Sequence, residues 1–223
     1  MVTRSARLLL VAPLVGLAST GWLARLPAQA DPDAKVKGGG AFPAGWHVRT
    51  DKNRPTADVK FVRAGGGFHV TLGPAVVLWR DVDRATGSYT VAATFTQTKN
   101  PRHPEGYGLI IGGSRLGDTR NRYTYYLVRG DGTFLIKRRV AGDSTVQVSN
   151  GWTPSDAVVK ADSAGQATNQ LGVVVAGGTV TFLANGKEVY TARAAGLDTQ
   201  GLVGYRVNHN LDVHLGALVV RKR

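Results

Sequence analysis

The densest set of groups able to hold a ligand or move a proton lies near the C-terminus, in Asn208-His209-Asn210-Leu211-Asp212-Val213-His214. If this stretch is extended, a period of two puts Asn208, Asn210, Asp212 and His214 on one face, with His209, Leu211 and Val213 on the other. Such a row offers oxygen and imidazole ligands, or a base with hydrogen-bond partners for a sugar. Asp212 and His214 are the candidate catalytic pair, a carboxylate and an imidazole either of which could serve as a base. The same alternation also describes the outward face of an antiparallel strand whose apolar face is in the core, and the residues alone leave both readings open.

The carboxylate inventory is poor for ordinary glycoside hydrolysis, which places two carboxyl groups ~5 to 5.5 Å or ~6.5 to 9.5 Å apart across one bond. Only two glutamates occur, Glu105 in a proline-rich loop and Glu188 after a hairpin. Asp81 and Asp83 would share a face in a strand, but Arg80 and Arg84 flank them and suit simple ion pairing. Cysteine is absent, which excludes thiol nucleophiles and cysteine metal sites. No Gly-x-Ser-x-Gly elbow, phosphate loop or dinucleotide fingerprint is present. With neither a His-x-His pair nor a calcium loop, the sequence calls for no metal or cofactor, and calcium has no motif behind it.

Aromatic residues make a second constellation. Tyr107, Tyr123, Tyr125, Trp79 and Trp152 can present rings for sugar stacking, while Arg129 and Arg139 can donate to hydroxyl or carboxylate oxygens. Tyr123, Tyr125 and Arg129 share one strand face, and with Arg139 and Trp152 they form the candidate ligand-binding set. Tyr126 and Phe134 fall to the core.

Positioning these groups is the work of strands. Beyond Trp46 the chain alternates with period two; in Ser88 to Gln97, Tyr89, Val91, Ala93 and Phe95 oppose Thr90, Ala92, Thr94 and Thr96. Asp131-Gly132, Asn185-Gly186 and Gly177-Gly178 separate strand pairs as hairpin turns, because Asn, Asp and Gly tolerate the positive φ of tight turns. About thirteen short strands without interleaved helices exceed what one twisted sheet holds flat. The expected architecture is all-β, a two-sheet antiparallel jelly-roll sandwich spanning residues 46 to 223, with the last strand running from Leu211 to Val220.

The 223-residue chain has 29 glycines and 19% charged residues, against collagen, coiled coil and disorder. Arg4 and Arg7, the apolar run from Leu8 to Ala18 and Ala28-Gln29-Ala30 spell a signal peptide over residues 1 to 30. Residues 31 to 45, with three consecutive glycines, read as a flexible linker. The product is expected to be secreted or periplasmic in a bacterial envelope, with no transmembrane anchor after cleavage. The net charge is +13; the 28 basic residues less Arg4, Arg7 and Arg25 leave 25 against 15 acidic, or +10. A surplus of that size favours anionic partners, an acidic polysaccharide among them. Lys137-Arg138-Arg139 and Arg221-Lys222-Arg223 are its densest clusters, but no recognition helix or zinc finger accompanies them, so nucleic acid is not an expected partner.

Several segments carry a family likeness: Ala41 to Trp46, Val77-Leu78-Trp79-Arg80, Gly106 to Ile111, Tyr125 to Arg129 with its Asp131-Gly132 turn, Val180 to Gly186, and Gly201 to Tyr205. Over residues 41 to 221 the chain resembles the concanavalin A-like lectin/glucanase superfamily, and within it the laminin G-like and 3-keto-disaccharide hydrolase-like domains of secreted bacterial proteins. The resemblance implies a concave sheet facing carbohydrate. The Glu-x-Asp-x-x-Glu strand of the family's glucanases has no counterpart here. A noncatalytic carbohydrate-binding module, including one for anionic glycans, is the leading expectation; a hydrolase or lyase acting on 3-keto sugars and an envelope interaction domain are the alternatives.

Overall fold

A computed structural model describes residues 32–38 and 41–223. The signal-peptide reading of residues 1 to 30 lies outside the described residues. Sixteen strands follow in chain order: β1 (His47–Thr50), β2 (Val59–Ala64), β3 (Gly67–Leu72), β4 (Val76–Ala85), β5 (Tyr89–Gln97), β6 (Gly106–Ser114), β7 (Arg122–Arg129), β8 (Thr133–Ala141), β9 (Ser144–Gln147), β10 (Thr153–Pro154), β11 (Ala167–Ala176), β12 (Thr179–Ala184), β13 (Lys187–Arg193), β14 (Gly201–Val207), β15 (Asp212–Leu215) and β16 (Val219–Lys222). Two short 3-10 turns, Asp51–Asn53 and Thr56–Asp58, lie between β1 and β2.

The strands form two antiparallel sheets. The first has the order β1-β4-β14-β6-β7-β8-β10, with β9 also on β8; the second runs β13-β12-β11-β5-β15-β3-β2, with β16 also on β5. Together they make the expected jelly-roll sandwich. Alternation is the cause: Tyr89, Val91, Ala93 and Phe95 of β5 are buried while Thr90, Ala92, Thr94 and Thr96 are half-exposed. The hairpins obey their turn residues. Asn185 and Gly186 both have positive φ, as do Gly177 and Gly178, so each pair makes a two-residue turn whose twist matches its strands.

The main core fills the space between the sheets and includes Tyr89, Phe95, Tyr107, Tyr126, Phe182 and Tyr205. Tyr126 and Phe134 are there as expected. Tyr107 is there too and so is not a sugar platform: its ring packs at a tilt against Phe95, and burial pushes its phenol up to about 12. The expected strand from Leu211 to Val220 is broken. Gly216 donates its amide to the Thr94 carbonyl, and the segment splits into β15 and β16, which pair with different stretches of β5. In the segment read as a linker, Ala34 donates its amide to Asn210 and Val36 donates its amide to Asp58.

Candidate functional site

A second apolar cluster lies on the face of the first sheet turned away from the main core: Val77, Trp79, Ile110, Leu116, Tyr123, Tyr125, Leu127 and Leu202, with Trp152 against it. Register explains which side chains join them. In β8, Ile136 points to the core, so Lys137 and Arg139 point the other way, opposite Tyr125 and Tyr123 of β7. In β14, Tyr205 and Val207 are core residues, which turns Arg206 outward opposite Val77. Val48 packs on the core, so Arg49 faces outward and also lies opposite Val77.

These arginines converge on Asp51. Arg206 donates from Nη1 and Nη2 to the two carboxylate oxygens at 2.7 and 2.6 Å, and Arg139 donates from Nη2 at 3.3 and 3.4 Å. The contact bears on the curvature of the sheet. Asp51 follows β1 directly and its amide bonds to the Ala75 carbonyl, while Arg139 is on β8, five strand positions away. In a flat sheet that separation is about 24 Å. The reach of the two side chains covers part of that span, and the rest is closed by a sheet that curls toward this face and by the turn that carries Asp51 beyond β1. Desolvation raises the Asp51 carboxyl, but the nearby Arg206, Arg139 and Arg49 charges outweigh it and hold the group down at about 2. Arg206 is pushed up in return: Asp51 outweighs the desolvation that would lower it.

The expected ligand set is brought together here. Tyr123 and Tyr125 stand 5.7 Å apart between ring centroids, with Arg139 over the first ring and Arg206 over the second. Neither tyrosine hydroxyl has a hydrogen bond among the described residues. Arg129 lies over Trp152, and Lys137 is half-exposed beside Tyr125. Trp79 stacks on His47, which pairs with Asp81 at the rim.

Asp212 and His214 are elsewhere. They stand on β15 of the second sheet with Val213 and Leu215 in the core, so they face outward on the opposite side of the sandwich. Asp212 pairs with His69 at 2.9 Å and Lys99 at 3.1 Å, and accepts from Thr98 and Thr71. Among the described residues no group of three or more His, Asp or Glu is arranged to hold a metal ion. Of the other carboxylates, Asp83 takes a two-point contact from Arg80, Glu188 is exposed, and Glu105 is held by His209 and Asn208.

Arg49, Asp51 and Arg206 were not among the sequence candidates. Their signal was the alternation itself, which turns Arg206 away from the core-facing Tyr205 and Val207, but nothing local joins residues separated by 155 positions.

No family model matches the chain, and no curated protein does. Solved structures do. A carbohydrate-binding module, CBM66 from Bacillus subtilis, is 11% identical with a TM-score of 0.59, covering 82% of this chain and 100% of the module. The Bacillus licheniformis beta-glucanase is 12% identical with a TM-score of 0.53, covering 87% and 100%. The fold is the concanavalin A-like jelly roll. An alginate lyase shares it at 12% identity and a TM-score of 0.51, covering 80% of this chain and 95% of the lyase. At such identities the likeness concerns the backbone, and any activity must be argued from the side chains.

Proposed function

We propose that this protein is an exported, noncatalytic carbohydrate-binding module whose hollow sheet face takes an acidic glycan. The observation that carries the reading is one face combining the rings of Trp79, Tyr123, Tyr125 and Trp152 with Arg49, Arg129, Lys137, Arg139 and Arg206. Rings suit the apolar faces of sugars, and guanidinium groups suit carboxylates. The solved structures of the same fold include a carbohydrate-binding module, a beta-glucanase and an alginate lyase, which supports sugar as the ligand class. Catalysis is not favoured on this face: its central carboxylate, Asp51, is clamped by two arginines and held ionised, the wrong state for a general acid. Asp212 and His214 are on the far side of the sandwich.

The test is a glycan array followed by calorimetry on the purified protein at low and high salt. Saturable binding that weakens as salt rises is expected, with acidic chains preferred. Silence across neutral and acidic glycans would remove the reading.

A further inference from the structure

Arg49 poses a problem that the fold does not solve. It is only 7% exposed, its Nε is sealed from solvent with no acceptor, and it has no hydrogen bond or ion pair among the described residues. The Nε of Arg139 is also buried without an acceptor. A sealed guanidinium nitrogen without an acceptor is costly, and such atoms are ordinarily paired. Three arginines at 7%, 3% and 5% exposure thus face Asp51, and of the three only Arg139 has a second carboxylate among the described residues, Asp143 at 3.3 Å. Asp51 itself is the accessible member, with 29% of its side chain exposed, and the two residues after it, Lys52 and Asn53, sit at φ of 57° and 52°. That left-handed region is uncommon for residues other than glycine.

We infer that Asp51 is a stand-in ligand, and that the carboxylate of a uronic acid unit replaces it on Arg139 and Arg206 while supplying Arg49 with the acceptor it lacks. The inference rests on the carbohydrate reading above and narrows it to uronate chains. A planar carboxylate already makes the two-point contact with Arg206, which is the geometry an incoming uronate reproduces. Release of Asp51 frees the turn at Lys52 and Asn53 to leave its left-handed conformation. The exchange keeps the charge of the site constant, so the buried arginines are never left bare.

The experiment measures binding of an oligogalacturonate, its neutral galactose counterpart and a sulfated oligosaccharide of equal length. The uronate is expected to bind about tenfold or more tighter than the neutral chain at low salt, and tighter than the sulfated one. Arg49→Gln should cut the uronate-to-neutral affinity ratio about tenfold. Arg49 also helps hold Asp51 ionised, so the ratio is compared on variant protein that still unfolds in one cooperative transition. Asp51→Asn should raise uronate affinity, since the internal competitor is gone. Should that variant fail to fold, hydrogen exchange on the wild type decides the same point: uronate must speed exchange of the Asp51 amide while the rest of the sheet is protected. Equal affinity for uronate and neutral chains, an unchanged ratio in Arg49→Gln, or preference for the sulfated chain overturns the inference and leaves the carbohydrate reading standing. Absence of binding to every glycan overturns both.

Discussion

The guanidinium carbon of Arg129 sits 3.7 Å from the ring centroid of Trp152, so two residues that offer themselves separately as ligand contacts work as one unit. The stack holds Arg129 at the edge of the hollow face, 3.7 Å from Asp131, and leaves its Nε buried without an acceptor. Removing the ring should therefore disturb the arginine as well. In a double-mutant cycle on glycan affinity, Trp152→Ala and Arg129→Ala are expected to be non-additive by about 1 kcal/mol, the usual size of such a stack. Strict additivity would show that the pair acts independently.

Gly106 tests where that ring stands. A Cβ at this position would lie 2.5 Å from Cη2 of Trp152 and 3.2 Å from Leu127 Cβ, and neither a ring nor a packed leucine yields freely. Gly106→Ala is expected to cost about 1 to 3 kcal/mol in denaturant unfolding. It should also shift the tryptophan fluorescence and weaken glycan binding. Unchanged fluorescence would mean that Trp152 is not seated on Gly106.

Much of this molecule was legible in its sequence, and the part that was not has a physical reason. Alternation sorted Tyr126 from Tyr125 and Asp212 from Val213 correctly, because side-chain direction in a strand is a local property. It could not tell which of two outward faces a residue joins, since that depends on which sheet the strand enters. Alternation alone therefore does not say whether Asp212 and His214 join the face of Tyr123, Tyr125 and Arg129, and they lie on the other side of the sandwich. Arg49 and Arg206 were hidden for a related reason: the pairing of β1 and β14 with β4 brings them to either side of Val77, and no turn or spacing announces that pairing.

Acid should expose the role of Asp51. Its carboxyl falls from an ordinary 3.8 to about 2 in the folded protein, so the unfolded chain binds the proton more readily. The resulting stability is fully present above the unfolded value and is lost as pH falls through about 2. One pKa unit corresponds to about 1.4 kcal/mol, which makes the contribution about 2 kcal/mol. Unfolding measured across about pH 5 to pH 2 should show that loss, and Asp51→Asn should flatten this part of the curve, being less stable than the wild type near neutral pH and converging with it at the acid end. An unaltered acid limb in the variant would assign the loss to another carboxylate.

His209 makes the opposite prediction. Hydrogen bonding to Glu105 raises its pKa above the ordinary 6.5, with burial opposing and the Glu105 and Asp33 charges adding to the rise. The ring reaches Glu105 at 2.7 Å and Asp33 at 3.3 Å; Arg54 also pairs with Asp33, and Asn208 donates to Glu105. The group therefore contributes stability fully below 6.5 and loses it as pH climbs through its raised folded value. Because Asp33 belongs to the N-terminal segment, that segment should loosen first. Hydrogen exchange at the Ala34 and Val36 amides, corrected for intrinsic rate, is expected to lose protection across this interval in the wild type and to be pH-independent there in His209→Gln.

Asp212 and His214 separate a structural role from a functional one. Burial raises the Asp212 carboxyl, but hydrogen bonds from Thr98, Lys99 and Thr71 outweigh it and lower its pKa, so the group is built to accept rather than to shuttle protons. Its partners are Thr71 and His69 of β3 and Thr98 and Lys99 just after β5, so from its place on β15 it ties three strands together on the outer face of the second sheet. Asp212→Asn weakens several charge-assisted bonds at once and is expected to cost about 1 to 3 kcal/mol in unfolding. Glycan affinity, measured on folded protein well below the melting temperature, should not move, because the whole thickness of the core separates this residue from the aromatic face. His214→Gln should likewise leave affinity intact and, having no carboxylate bound to it among the described residues, should cost less stability. A loss of sugar binding in either variant, with the fold retained, would move the ligand site to the second sheet.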